Sequence, residues 1–570
     1  MKDHIGMHEC MNSTRISCLM VDTIYTHTRT EQDDMPGVLR LQNTTTRQVY
    51  ALRLDGRAQR LSPGAYRTVQ FRDVHHAVLR GCFTVRRSLC GRREAVTVVP
   101  IVRVSTIAPF YPENPNWLVV QAAPPRGDDP FVSLSTQTPI PDTFDQVSAY
   151  LATLCQDALL SSGFSNLVYY PLRNPPLCLA EPSPFLPQID LAVILLSPSN
   201  EILGAADVLW DRDVPDTYAV CLDRATLTAN RDVRFFVWRE ARWVDPELWN
   251  APVPPEDVLT HPLDPQLSFM LPFPSGCCKT ALAVAMMRLV DANVLQLTTV
   301  LTYDDAHCPP PPTNSTAAWS LAYLLTEMVE RSSSFAGQVL LQWLFKNDYL
   351  ASTNQWFREL GLQTIVLQPL DPACGLGEEE GKMTAGALDV CKLLMVIFGV
   401  RGTLWNDIRA DDVLSPSSQA FLQQRLQNQA YAEALNPLAV CGSPYHEQGF
   451  PTTVPDQYIN QLGYLVVYSP LDDCSFNFGY DMRPCLQEAT MAFAHKTGLA
   501  EFSGCDHGVV RRLDEQGNRL VVALHTSAGC LFQSPDLAAE QPTACATLQL
   551  CYANAFSKVA QALEVLVGSV

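Results

Sequence analysis

The sequence predicts a mixed α/β chain of several domains, β-rich at its start. Residues 37 to 123 carry short alternating apolar runs parted by turn residues, a β pattern. From residue 131 onward, strand-like runs are interleaved with amphipathic helical segments. At 570 residues the chain has room for roughly three or four domains. The expected division is a β-rich region 1–123, an α/β region 131–249, a mainly helical region 266–440, and a C-terminal α/β region 441–570 closed by a helix.

Within the first region, VLRLQN, VYALRL, TVQFRDV and AVTVVPIVRVSTI read as strands, with turns at Asp55-Gly56 and Pro63-Gly64. RRSLCGRR, Arg86 to Arg93, reads as a solvated hairpin turn. PPRGDDP reads as a linker. In DTFDQVSAYLATLCQDALLSSG, Phe144, Val147, Leu151, Leu154 and Ala158 share one helical face, with Asp142 as N-cap and Gly163 as stop. IDLAVILLS and ILGAADVLW flank a turn at Ser197 to Asn200 and predict a hairpin. Prolines interrupt regular structure at 250–265 and 308–314. Helices are expected from TAAWSLAYLLTEMVERSSS, over residues 385 to 399, and near SSQAFLQQRLQNQAYAEAL. HGVVRRLDEQGNRLVVALHTSAG reads as a hairpin turning at Glu515 to Asn518.

Apolar residues make up 47% and charged residues 17%, which supplies a core and excludes a disordered chain. The net charge of −19 argues against broad contact with a phosphate backbone, so direct DNA binding is expected to be weak at most. MKDHIGMHECMNST has no apolar leader, and no apolar run is long enough for a membrane span. A soluble intracellular protein is expected. Its 19 cysteines, odd in number and irregular in spacing, read as free, mostly buried thiols.

FPSGCCKT, Phe273 to Thr280, has the outline of a phosphate-binding loop followed by a helix. Such a loop needs glycines where Phe273 and Cys278 stand, and only Gly276 remains, off register. Asp304-Asp305 is the nearest magnesium-binding candidate. A turn and a buried helix start fit better. No CxxC occurs, and the clusters His75, His76, Cys82, Cys90 and Cys505-Asp506-His507 do not make convincing zinc sites. CGSPYH, Cys441 to His446, lacks the second cysteine of a cysteine-protease signature, and no GxSxG is present. Asp211 and Asp213, Asp411-Asp412 and Asp472-Asp473 read as solvated turns rather than metal ligands. No catalytic, cofactor or metal residue is therefore assigned, and the expectation is a protein that is not an enzyme.

Two stretches carry a resemblance. LCQDALLSSGFSNLVYYPLRNPPLCL runs into IDLAVILL, and SFNFGYDMRPCLQEATMAFAHKTGL precedes RLVVALHTSAGCLFQSPD. Their layout resembles the accessory subunit of the herpesviral DNA helicase–primase. The resemblance implies a degenerate B-family-polymerase-like architecture without catalysis. It also implies a scaffold role stimulating primer synthesis, viral helicase and primase subunits as partners, and location in the host nucleus. The alternative is a herpesviral structural or host-modulating protein built on degenerate dUTPase-like β-barrels, supported by the β-rich first region.

In the C-terminal helix, Phe556, Val559, Leu563 and Leu566 form one apolar stripe. It either packs on its own domain or docks in a partner's groove. The scaffold reading favours docking and makes these four the candidate partner-binding residues.

Overall fold

The computed structural model describes residues 143–568, apart from 167, 170–180, 183–185, 215, 229–231, 263, 304–317, 369–382, 443–445, 500–502 and 528–543, together with ten short strands between residues 20 and 118. Asp304-Asp305 and the cluster His75, His76, Cys82 and Cys90 lie outside the described residues. The chain divides into two compact units, 1–138 and 139–570.

The first unit is β throughout its described elements. One sheet has four antiparallel strands, and three further strand pairs stand beside it in sequence. Leu54 pairs with Arg57 across the Asp55-Gly56 connection. Leu89 pairs with Arg92 inside RRSLCGRR, so the hairpin expected there forms.

The second unit is built on one antiparallel sheet. We label its strands β1 (Gln188–Leu196), β2 (Ile202–Trp210), β3 (Tyr218–Ala219), β4 (Met491–Leu499), β5 (Ser503–Arg512) and β6 (Asn518–Ser527). Their order is β3-β2-β1-β6-β5-β4. Strands from residues 188–219 and 491–527 thus share a sheet although some 270 residues separate their inner ends. Among the described residues, this arrangement gives no support to a polymerase-like architecture.

Every residue of β1 is buried, because both sheet faces are covered. Ile189, Leu191, Val193 and Leu195 pack with helices α1 (Phe144–Ser162) and α7 (Ala544–Gly568). Ala192, Ile194 and Leu196 face the other layer. That layer contains α2 (Cys278–Asp291), α3 (Leu321–Glu330), α4 (Ser334–Lys346), α5 (Ala387–Ile397) and α6 (Pro416–Gln427). The period-2 alternation of an all-apolar strand is what allows two cores on one sheet.

Local signals explain the helix ends. Thr143, one residue after the expected cap, accepts from the Gln146 N–H, and Gly163 closes α1 in the left-handed region at φ 94°. Ser320 and Ser333 cap α3 and α4. Two disulfides, Cys277–Cys505 and Cys441–Cys485, correct the expectation of free thiols throughout. Cys155 and Cys391 are buried thiols, as expected. Among the described residues, no helix is long and apolar enough to cross a membrane.

Candidate active site

The start of α2 lies against the edge strand β4. A single 3-10 turn, Ser275–Cys277, precedes the helix and is tied to β5 by Cys277–Cys505. Gly276 and Gly498 meet there backbone to backbone. A Cβ on Gly498 would stand 2.4 Å from the Gly276 nitrogen. A Cβ on Gly276 would stand 3.3 Å from both Gly498 Cα and Ser332 Oγ. Glycine is required at 498 because strand and turn leave no room for a side chain.

Two lysines converge on one serine. Lys279, on the first turn of α2, donates from Nζ to the Ser332 carbonyl (2.8 Å) and to Ser334 Oγ (3.1 Å). Lys496, on β4, donates from Nζ to Ser332 Oγ (2.8 Å) and to the Thr497 carbonyl. Both lysines are buried, whereas Ser332 is half-buried. Ser332 sits between α3 and α4 at φ 57°, a left-handed conformation that a serine adopts only under constraint. Ser333 caps α4, so the N-terminal end of that helix also faces this corner. Two ammonium groups and a helix start make the surroundings of Ser332 Oγ electropositive, which suits an oxygen that carries or develops negative charge.

A buried carboxylic acid lies within electrostatic reach of Lys496. Glu433 is buried, and burial pushes its carboxyl up to about 8, with Lys496 opposing and Asp506 adding to the rise. Its segment is held in place on both sides. The Leu435 N–H donates to Asp506 Oδ2 (3.0 Å), and Ser557 Oγ on α7 donates to the Ala434 carbonyl (3.1 Å). Asp506 Oδ1 also pairs with His495 Nδ1 at 2.8 Å. A hydroxyl, two amines and an acid raised into the neutral range are the groups that acyl transfer uses.

The remaining sequence candidates fall elsewhere. Lys279 makes protein hydrogen bonds rather than crowning an anion cradle, in line with the rejected phosphate loop. Asp211 Oδ1 accepts from the Asp213 and Val214 N–H groups, a turn as expected. Asp472 accepts from the Phe335 N–H and Ser469 Oγ. Asp411 and Asp412 occupy the first turn of a short helix. Cys441 of CGSPYH is disulfide-bonded. Phe556, Val559, Leu563 and Leu566 are each fully buried in the core beneath the sheet, with Phe556 edge-on to Phe164 at 5.8 Å. The stripe thus spends its apolar area within its own unit.

Ser332, Glu433 and Lys496 were missed by sequence reasoning. The signal was the tripeptide Lys496-Thr497-Gly498 on an expected strand. K-T-G, S-x-x-K and S-D-N together mark serine enzymes of the class A β-lactamase and penicillin-binding type. Here K-T-G is intact, Ser332-Ser333-Ser334 opens α4 where S-D-N would be sought, and Gly276 stands three residues before Lys279 where the motif has serine.

Part of the chain is similar to known proteins. A family model described as the beta-lactamase enzyme family matches residues 273–439, a span that holds Gly276, Lys279, Ser332 and Glu433. No curated protein matches the chain. Among solved structures, a β-lactamase from Chitinophaga pinensis DSM 2588 is 13% identical, covering 66% of this chain and 92% of its own, with a TM-score of 0.35. A representative class A β-lactamase from Bacteroides cellulosilyticus DSM 14838 is 10% identical, covering 72% and 98%, with a TM-score of 0.38. PBP-A is 17% identical, covering 52% and 80%, with a TM-score of 0.31.

The family match overturns the herpesviral reading. The helicase–primase resemblance rests on layout alone, and one of its stretches, AFAHKTGL, contains the K-T-G strand, which lies beyond the matched residues 273–439. The scaffold function, the dUTPase-like alternative and the host-nuclear location fall with it. The expectation of a chain that is not an enzyme is corrected too, because the matched family is one of enzymes.

Proposed function

We propose that the second unit is an acyl-transferring hydrolase of the serine type, acting on a β-lactam or a related activated amide or ester. Ser332 is its nucleophile. The observation that carries this reading is the placement of Ser332: its Oγ takes the Lys496 ammonium at 2.8 Å while its carbonyl takes Lys279 at 2.8 Å. The family match supplies the reaction class.

The usual nucleophile position is glycine, so the hydroxyl comes from the neighbouring turn. A Cβ at 276 would lie 3.3 Å from Ser332 Oγ, so the serine hydroxyl already reaches the edge of that position. In the first step Lys496 gives up its extra proton to solvent, Ser332 Oγ bonds to the substrate carbonyl carbon, and the hydroxyl proton passes to the freed amine. Collapse breaks the carbonyl carbon's bond to the leaving nitrogen or oxygen, which takes a proton, and an acyl-serine remains. Water then attacks the ester, with the Glu433 carboxylate as base. Lys279 and the start of α4 hold the Ser332 turn and favour negative charge beside it.

The test is turnover of a chromogenic cephalosporin and of an activated phenyl ester by the full chain, beside Ser332→Ala and Lys496→Met. Turnover or burst acylation that is lost in both variants is expected. Turnover that survives in Ser332→Ala, or none in a folded wild-type protein across both substrates, would overturn the proposal.

A further inference from the structure

A second cluster lies behind the Ser275–Cys277 turn, on the neighbouring strands. Cys505 and His507 are two residues apart on β5 and so share a face. His525, on β6, is the register partner of Cys505. The turn brings Cys277 over them. Cys277 Sγ and ring nitrogens of His507 and His525 all lie within 4.8 Å of one another, and all three residues are buried.

The hydrogen bonds fix what each ring presents. His525 Nδ1 lies 3.0 Å from the Ala385 carbonyl, which only accepts, so Nδ1 carries the hydrogen and Nε2 presents a lone pair. His507 Nε2 lies 2.8 Å from Thr280 Oγ1. His525 Nε2 and His507 Nδ1 are buried without a hydrogen-bond partner. Native interiors rarely leave such atoms unsatisfied. A ring held through one nitrogen with the other bare is the arrangement of a metal-ligating histidine.

We propose that Cys277, Cys505, His507 and His525 form a tetrahedral zinc site that replaces the Cys277–Cys505 disulfide when the protein is reduced. Two sulfur and two imidazole ligands are a common structural set for zinc. Reduction by a thiol or phosphine adds two electrons and two protons to the disulfide and yields two thiols. Zinc then takes the two sulfurs as thiolates and releases both protons. The Cys505 sulfur is bonded to that of Cys277 and lies outside the group of three, so as fourth ligand it turns toward the ion once reduction frees it. Either cross-link clamps the Gly276 turn to β5, so the chain keeps the same turn geometry in an oxidising or a reducing setting.

The test uses the full chain, reduced with a phosphine under anaerobic conditions, and cobalt(II) as a spectroscopic stand-in for zinc. One cobalt per chain is expected, with the ligand-field bands of a tetrahedral ion and a thiolate-to-cobalt charge-transfer band. Oxidised protein should take up none. Cys505→Ser cannot form the disulfide and should bind cobalt without a reductant through the other three ligands. His525→Gln should bind at least about tenfold more weakly. If reduction unfolds the protein, added zinc should restore its circular dichroism. Reduced wild type and Cys505→Ser that both resemble a Cys277→Ser/Cys505→Ser control, or an unfolded reduced protein that zinc does not restore, would overturn the proposal.

Discussion

Gly276 and Gly498 face each other, yet substituting them should have unequal effects. A Cβ on Gly498 would lie 2.4 Å from the Gly276 nitrogen and 2.8 Å from its Cα, backbone atoms that cannot rotate aside. The turn is pinned to β5 by Cys277–Cys505 and cannot easily retreat. Gly498→Ala must therefore part strand and turn, and should cost more than the usual overpacking range of about 1–3 kcal/mol. A Cβ on Gly276 meets nothing nearer than 3.3 Å, so Gly276→Ser should stay within that range. The same substitution puts a hydroxyl three residues before Lys279 and restores S-x-x-K, so acylation by a β-lactam should accelerate by about tenfold or more. Denaturant titration of the oxidised full chain measures the first effect, and stopped-flow acylation the second. Equal losses for the two variants, or a smaller loss for Gly498→Ala, would refute the close packing on which the site's geometry rests.

Three further outcomes are expected. Burial pushes the Asp190 carboxyl up to about 6, and burial with the neighbouring Asp190 charge holds Asp207 well above the usual carboxylate range. Both folded values exceed the unfolded ones, so stability should fall as pH rises from about 4 through 6 and beyond. Asp207→Asn should be more stable than wild type at pH 8 by about 1–3 kcal/mol, and a less stable variant at that pH would count against a strained pair. Glu433, raised to about 8, becomes a base only above that pH. Hydrolysis of the acyl adduct should speed up as pH passes about 8 and lose that rise in Glu433→Gln, whereas an unchanged profile would remove Glu433 from the reaction. Truncation after Ala553 removes Phe556, Val559, Leu563 and Leu566, all fully buried. At roughly 1.5–3 kcal/mol each, the loss of about 6–12 kcal/mol is comparable to the whole margin of about 5–15 kcal/mol of a typical domain, so the truncated chain should be unfolded or melt far below wild type by circular dichroism. A truncated chain that melts normally would return the helix to a docking role.

Local signals in the sequence were read well where one segment decides its own structure. The α1 face, its stop at Gly163, the β1–β2 hairpin and the β5–β6 hairpin all depend on short-range periodicity and turn chemistry. The pairing of β1 with β6 depends on neither, because a strand buried on both faces shows no alternation to fix its partner. The site was hidden for a related reason. The surroundings of Lys279 outline a phosphate loop, and the position where S-x-x-K has its serine is Gly276. Ser332 lies in a serine run that reads as a helix cap, and only the fold brings Lys496 to it. Cys505-Asp506-His507 alone is too few ligands for a site, and His525 comes from another strand.

The most direct test of the central claim is the position of the covalent adduct. The full chain is incubated with a fluorescent penicillin, quenched in acid, digested, and mapped by tandem mass spectrometry. One acyl group per chain is expected, carried on Ser332 and absent in Ser332→Ala. An adduct on Ser275 or on any other serine, or an unmodified chain whose fold is intact, would contradict it.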